Sequence, residues 1–229
     1  MKEPFLATVI LETLWPTRCA LCNRSSPTVI CTKCEQSLQY LVTYQACPRC
    51  GAPWGRIQCD RCNPVISAKQ PAPSPCVSVF RFDQDSSRLI KTYKDQGEQR
   101  IAEYFALYLS RVIPPEWKTW AEALTYIPAT KKARRRRGFD HMQLIGTHLS
   151  HTINLPLITT LSEPHAQDQR EFGRDLRMVN AQHMFQALEV PQRVLLIDDV
   201  ITTGSTLYAA QKALHDAGCE SRIATIARV

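Results

Sequence analysis

Val194-Leu195-Leu196-Ile197-Asp198-Asp199-Val200-Ile201-Thr202-Thr203-Gly204-Ser205-Thr206-Leu207 passes from four apolar residues through two carboxylates into a hydroxyl-rich turn. The four apolar residues are too few for a helix. Bounded by charge, they predict a buried parallel strand with Asp198 and Asp199 at its carboxyl end. An amphipathic helix is expected from Ser205, with Leu207, Ala210, Leu214 and Ala217 at helical spacing and Gly218 just past its end. A helix N-terminus offers unpaired N–H groups and the positive end of the helix dipole, so it receives an anion. Gly204 permits close approach or positive φ, and Thr202, Thr203, Ser205 and Thr206 add donors. Paired aspartates do not favour a bare anion. They fit sugar hydroxyls, or a divalent metal that rides on the ligand. A phosphorylated ribose carrying a metal-bound pyrophosphate combines these parts. The stretch is not a Walker loop, because it lacks the Gly-Lys-Ser/Thr triplet.

Here the stretch resembles the signature of type I phosphoribosyltransferases, which bind 5-phosphoribosyl 1-pyrophosphate (PRPP). The resemblance implies that Asp198 and Asp199 contact the ribose hydroxyls. It also implies that the turn of Thr202, Thr203, Gly204, Ser205 and Thr206 wraps the 5′-phosphate, that Val200 belongs to the same PRPP-binding stretch, and that magnesium accompanies the ligand.

Upstream, VSVFRF (Val77 to Phe82) alternates as a half-buried strand does, and ALTYIP (Ala123 to Pro128) is a second strand candidate. Between them two helices are expected. The second places Ile101, Phe105, Tyr108 and Val112 on one face and stops at Pro114 and Pro115. After ALTYIP, six cations (Lys131, Lys132, Arg134, Arg135, Arg136 and Arg137) crowd a predicted turn, and Met142, Ile145 and Leu149 mark the helix that follows. A strand-to-helix turn in an open α/β sheet is where anions dock. Lys131 and Lys132 are assigned to pyrophosphate, and the four arginines to single-stranded nucleic acid. The local sequence offers that run only Asp140 and, further off, Glu122 as carboxylate partners. The polar segment before the acidic strand, SEPHAQDQREFGRDLRMVNAQHMF, fits either a flap over the site or a surface helix with loop ends. ESRIATIARV supplies a last buried strand.

Eight of the ten cysteines form four CxxC pairs: Cys19/Cys22, Cys31/Cys34, Cys47/Cys50 and Cys59/Cys62. Shifting the first two pairs by 28 residues lands on the last two, so the segment is an internal repeat. Paired CxxC knuckles complete tetrahedral thiolate zinc sites. Two structural zinc ions are expected, either paired sequentially within each repeat or cross-braced between them. Cys22→Ser is expected to unfold its knuckle and release about one zinc, leaving the carboxyl-terminal domain folded. Cys76 and Cys219 read as ordinary buried thiols.

The 229-residue chain carries a net charge of +7, which favours an anionic partner, and its 44% hydrophobic content excludes wholesale disorder. Its apolar opening, FLATVILETLW, is broken by Glu12 and followed by no small-residue cleavage site, so it predicts a short amphipathic helix and no signal peptide. No apolar run is long enough to span a membrane, and a cytoplasmic location is expected. The Pro-rich stretch from Asn63 to Pro75 marks a boundary. The organisation expected is a double CxxC module over 1–65, a linker over 66–76, and an α/β phosphoribosyltransferase-like domain over 77–229 with an open, mostly parallel sheet.

Taken together, the chain is similar to the ComF family. The resemblance rests on the four CxxC pairs, Arg136-Arg137-Gly138-Phe139, Gln169, Arg177 and Asn180 with Phe185, and Asp198 to Thr206. Asp140 stands where that family more often has Asn. The resemblance implies a part in natural transformation, or in using imported DNA as a nutrient, by a protein that handles single-stranded DNA beside the uptake machinery. The competing expectation is a phosphoribosyltransferase acting on a small nucleobase-like acceptor, its zinc module serving assembly. No residue for recognising a base stands out.

Overall fold

The computed structural model describes residues 17–41, 46–47, 50–53, 59, 75–164 and 184–229. The amino-terminal helix, Cys62, most of the Pro-rich linker, and Gln169, Arg177 and Asn180 of the expected flap lie outside the described residues.

The described elements are α1 (Thr32–Ser37), β1 (Cys76–Arg81), α2 (Gln84–Asp95), α3 (Ile101–Val112), α4 (Pro115–Trp120), β2 (Ala123–Tyr126), α5 (Lys131–Arg137), α6 (His141–Ile153), β3 (Arg193–Ile201), α7 (Ser205–Asp216) and β4 (Glu220–Arg228). The strands form one all-parallel sheet in the order β1-β4-β3-β2. This is the open parallel sheet with flanking helices that the acidic strand predicts. β3 and β4 are buried along most of their length because helices cover both faces, which is why they read as continuous apolar runs.

Three elements differ from expectation. β3 does not end at the carboxylates but pairs with β4 through Ile201, so Asp198 and Asp199 lie within a regular strand. β1 is not half-buried: Ser78, Val79 and Phe80 are all inside. The lysine–arginine run is not a turn but the helix α5. Thr130 accepts the Ala133 N–H at its start (3.2 Å), Gly138 ends it at φ 80°, and lysine and arginine are good helix formers. Four cations in its last turn also suit the negative end of the helix dipole.

The connections position the site. From β2 the chain runs outward through α5 and α6 to residues 156–158, which pair with the free edge of β2 at Leu124. From β3 it runs the other way, through α7 to β4. Met142, Ile145 and Leu149 of α6 pack with Leu195 and Ile197, whereas Leu207, Ala210 and Leu214 of α7 pack with Val194 and Leu196. Neighbouring strands therefore send their helices to opposite faces. At such a reversal, open α/β sheets take ligands between the carboxyl ends of the two strands.

The cysteine-rich segment is packed into the same structure. Cys19, Leu21, Ile30 and Leu38 belong to the core built by Val79, Phe80, Leu89, Ile101 and Phe105. Residues 39–41 cover the outer edge of β1: Leu41 N–H donates to Val79 O (2.8 Å) and Arg81 N–H to Gln39 O (2.9 Å). That cover accounts for the burial of β1. Tyr108 of α3 sits against Tyr40 (ring centroids 5.1 Å) and donates to Glu35. The second knuckle meets the sheet at Gly51. Its φ is +70°, and a Cβ there would lie 2.3 Å from Cys76 O. Gly51→Ala is expected to destabilise the protein by about 1–3 kcal/mol, read as a lowered urea midpoint. An unchanged midpoint would mean that the knuckle does not seat on the sheet.

Candidate functional site: two cysteine clusters and the carboxyl ends of β2 and β3

The metal-ligating groups come first in the chain. The Sγ atoms of Cys19, Cys22, Cys31 and Cys34 lie within 4.8 Å of one another, as do those of Cys47, Cys50 and Cys59. The pairing is thus sequential among the described residues. The 28-residue repeat persists in the hydrogen bonds. Cys31 N–H donates to Cys19 Sγ (3.3 Å) and Cys59 N–H to Cys47 Sγ (3.5 Å). Cys19 N–H reaches Arg24 O and Cys47 N–H reaches Ala52 O, while Asn23 and Gly51 both take positive φ in the turns.

The donor set fits a thiophilic cation. Burial disfavours the Cys19 thiolate, yet N–H groups of Cys31, Cys22 and Leu21 bring its thiol down to about 6. Burial and the neighbouring thiols push Cys34 well up, so four thiolates cannot share this space without a positive ion among them. At the second cluster the buried Arg228 donates to Cys50 O (2.7 Å) and Cys50 Sγ (3.5 Å), which suits the negative charge of a zinc–thiolate centre. Cys76 and Cys219 are buried, and burial raises their thiols to about 12 and about 11. They are packing residues.

The second assembly stands at the end of β3. Consecutive strand residues project to opposite faces, so the two aspartates separate. Asp199 faces α2 and α6. Its Oδ2 accepts from Lys94 Nζ and from His141 Nε2 (2.9 Å), and its Oδ1 accepts Val200 N–H (2.6 Å). Asp198 has the parity of Val194 and Leu196, on the α7 side, and accepts Asp199 N–H (2.9 Å). Their electrostatics diverge accordingly. Burial alone would raise Asp199, but the His141 hydrogen bond and the Lys94 charge outweigh it and hold its carboxyl below the usual range. Burial, reinforced by the Asp199 charge, pushes Asp198 well up. Asp199 is therefore the more readily ionised of the two, and Lys94 lies against its carboxylate. Both carboxylate oxygens of Asp199 thus already accept hydrogen bonds, Oδ2 from a cation and an imidazole and Oδ1 from a backbone N–H.

Beyond β3, Thr202, Thr203, Ser205 and Thr206 are exposed, and Gly204 takes φ 79° at the start of α7. Among the described residues no side chain closes an N-cap there, and the one local contact to a first-turn amide is a long one from Ser205 N–H to Thr203 Oγ1 (3.4 Å). The helix thus offers open amides and four hydroxyls to an anion. Of the apolar positions expected in α7, Ala217 is exposed at the C-cap and Ala209 is buried instead.

Across the strand ends, α5 presents Lys131, Lys132, Arg135 and Arg136 to solvent. The run finds carboxylates that its local sequence does not show: Arg134 pairs with Glu163 (2.6 Å) and Arg136 with Asp95 (3.3 Å). Such exposed pairs contribute at most about 1 kcal/mol each, so they leave the face exchangeable. Arg137 differs from the others. Its side chain is only 12% exposed and turns inward to His141 Nδ1 (3.3 Å). Asp140 does not await a ligand; it is the buried N-cap of α6, accepting from Ala129, Met142 and Gln143 N–H groups. Phe185 is buried against Leu161 rather than free to close over the site. Sequence reasoning missed Lys94 and His141. The usable signal was positional: Lys94 stands in the last turn of α2, the helix after β1, and His141 opens α6, the second helix after β2.

Comparison with known proteins yields three curated relatives and one family. Residues 10–69 match the double zinc ribbon domain, which with the cysteine clusters supports structural zinc. Competence protein F of Haemophilus influenzae is 26% identical over 202 residues, covering 83% of this chain and 86% of that protein. Competence protein ComFC of Streptococcus pneumoniae is 22% identical over 221 residues (89% and 96%), and that of Bacillus subtilis 23% over 203 residues (82% and 79%). Among solved structures, adenine phosphoribosyltransferase from Leishmania tarentolae aligns with a TM-score of 0.34 and 14% identity, over 69% of this chain and 79% of that one. The enzyme from Leishmania donovani aligns at 0.32 and 13%, over 66% and 71%. Among the described residues no helix is long and apolar enough to cross a membrane.

Proposed function

We propose that the chain is a member of the ComF family, to whose competence proteins it is similar over most of its length, and that it is a PRPP-binding, single-strand-binding protein of DNA uptake, working in the cytoplasm. The observation that carries this reading is the juxtaposition at the ends of β2 and β3: a charged hydroxyl acceptor, Asp199, an uncapped hydroxyl-rich helix start at Gly204, and a cationic helix opposite. Ribose hydroxyls donate to Asp199, and the 5′-phosphate takes the amides and hydroxyls of Thr202 to Thr206. Lys131 and Lys132 meet the pyrophosphate, which arrives with magnesium. If transfer occurs, the C1–O bond to pyrophosphate breaks while positive charge develops on the sugar, and positioning matters more than any single acid or base. A zinc-bearing module over 1–65, joined through 66–76 to the domain over 77–229, braces the outer edge of β1.

Single-stranded DNA runs along the outer face of α5, held by Arg134, Arg135 and Arg136. Phosphate contacts give salt-sensitive, largely sequence-independent binding. Replacing these three arginines with alanine is expected to lower the log–log salt slope by about 2, at roughly 0.7 per phosphate on single strands. Mg-PRPP binding is spared, because Lys131, Lys132 and Arg137 remain. Filter binding over a salt series tests this. A variant with the parent's slope and affinity would mean that the strand runs elsewhere.

A further inference from the structure

Arg137 belongs to the arginine run but does not share its direction, and the group it meets is the imidazole on Asp199. A guanidinium has donors and no acceptor. At 3.3 Å from His141 Nδ1, Arg137 Nη1 can make a hydrogen bond only to a bare ring nitrogen. The ring proton then sits on Nε2, 2.9 Å from Asp199 Oδ2, and is donated to that oxygen.

The other groups around the imidazole agree. Asp140 Oδ1 lies 3.9 Å from Nδ1, but it already accepts two backbone N–H groups, from Met142 and Gln143, so it does not draw a proton onto Nδ1. Tyr93 donates to the backbone oxygen of His141 (2.5 Å) and leaves the ring alone. Lys94, from α2, meets the same Asp199 oxygen and carries the charge that balances it. Asp95 Oδ1, 3.8 Å from Arg137 Nη2, is the carboxylate nearest that guanidinium.

We propose that Arg137 and His141 are positioning residues of the sugar site: Arg137 fixes His141 as the neutral Nε2–H tautomer, and the imidazole holds Asp199 in place to receive a ribose hydroxyl. The proposal rests on the reading of Asp199 as a sugar ligand. It divides the arginine run, leaving Arg134 to Arg136 for a polyanion and Arg137 for the site within. Without Arg137, the ring is free to flip its proton to Nδ1 and face Asp199 with a lone pair.

Long-range nitrogen–proton NMR on the zinc-loaded full chain, without PRPP, reads the tautomer directly. At pH 8 the wild type is expected to show a protonated Nε2 and a bare Nδ1 at His141. Arg137→Met is expected to give mixed tautomers at that pH and Mg-PRPP affinity on the order of tenfold weaker. His141→Gln, which keeps an N–H donor for Asp199, should bind more tightly than Arg137→Met. An Nδ1–H tautomer or an imidazolium in the wild type, or unaltered His141 signals in Arg137→Met, would overturn the proposal. A wild type that keeps the expected tautomer and binds no Mg-PRPP would instead overturn the sugar-site reading beneath it.

Discussion

Cys22→Ser is expected to release about one zinc ion per chain and to lower the stability of the whole protein, not of one knuckle alone. Structural zinc contributes on the order of 10 kcal/mol of apparent binding energy to a small module. Sequence alone predicts that the remainder stays folded. The shared core contradicts that expectation, because Cys19, Leu21, Ile30 and Leu38 pack with Val79, Phe80, Leu89, Ile101 and Phe105. Losing the knuckle also frees residues 39–41 and bares the edge of β1. Metal analysis with thermal unfolding is the check. Wild-type protein without zinc, or a variant that loses zinc and keeps its melting temperature, would falsify this account of the module.

Asp199→Asn is expected to weaken Mg-PRPP binding by roughly 10- to 100-fold, the loss of a charge-assisted hydrogen bond. The substitution removes the charge that Lys94 balances and gives His141 an amide to face. Asp198→Asn should do less, since Asp198 resists ionisation and projects to the α7 side of the sheet. The asymmetry distinguishes this site from one in which both carboxylates hold the ligand equally. Equal losses from the two single variants, each with an unchanged melting temperature, would contradict it.

Local patterns carried the fold well. Four apolar residues, two carboxylates and a hydroxyl-rich turn mark β3 and the start of α7, and the 28-residue repeat marks both cysteine clusters, because hydrogen bonds within each knuckle are set by nearby residues. What depended on distant pairing was illegible. Lys94 and His141 stand 105 and 58 residues from Asp199, and neither sits in a motif. Asp95 and Glu163, which neutralise part of the arginine run, also lie well outside its local sequence. The six cations looked like a turn because charge suggests solvent. Thr130 and Gly138, a cap at each end, were the overlooked signs of a helix. Strand alternation at Asp198 and Asp199 was available from the period alone, had β3 been read through to Ile201.

Calorimetric titration of Mg-PRPP into the zinc-loaded full chain tests the central claim most directly. One saturable site per chain is predicted, abolished in the Asp198→Asn/Asp199→Asn double variant while its melting profile still shows a folded protein. Absence of a binding signal in the wild type, or undiminished affinity in the double variant, would contradict it.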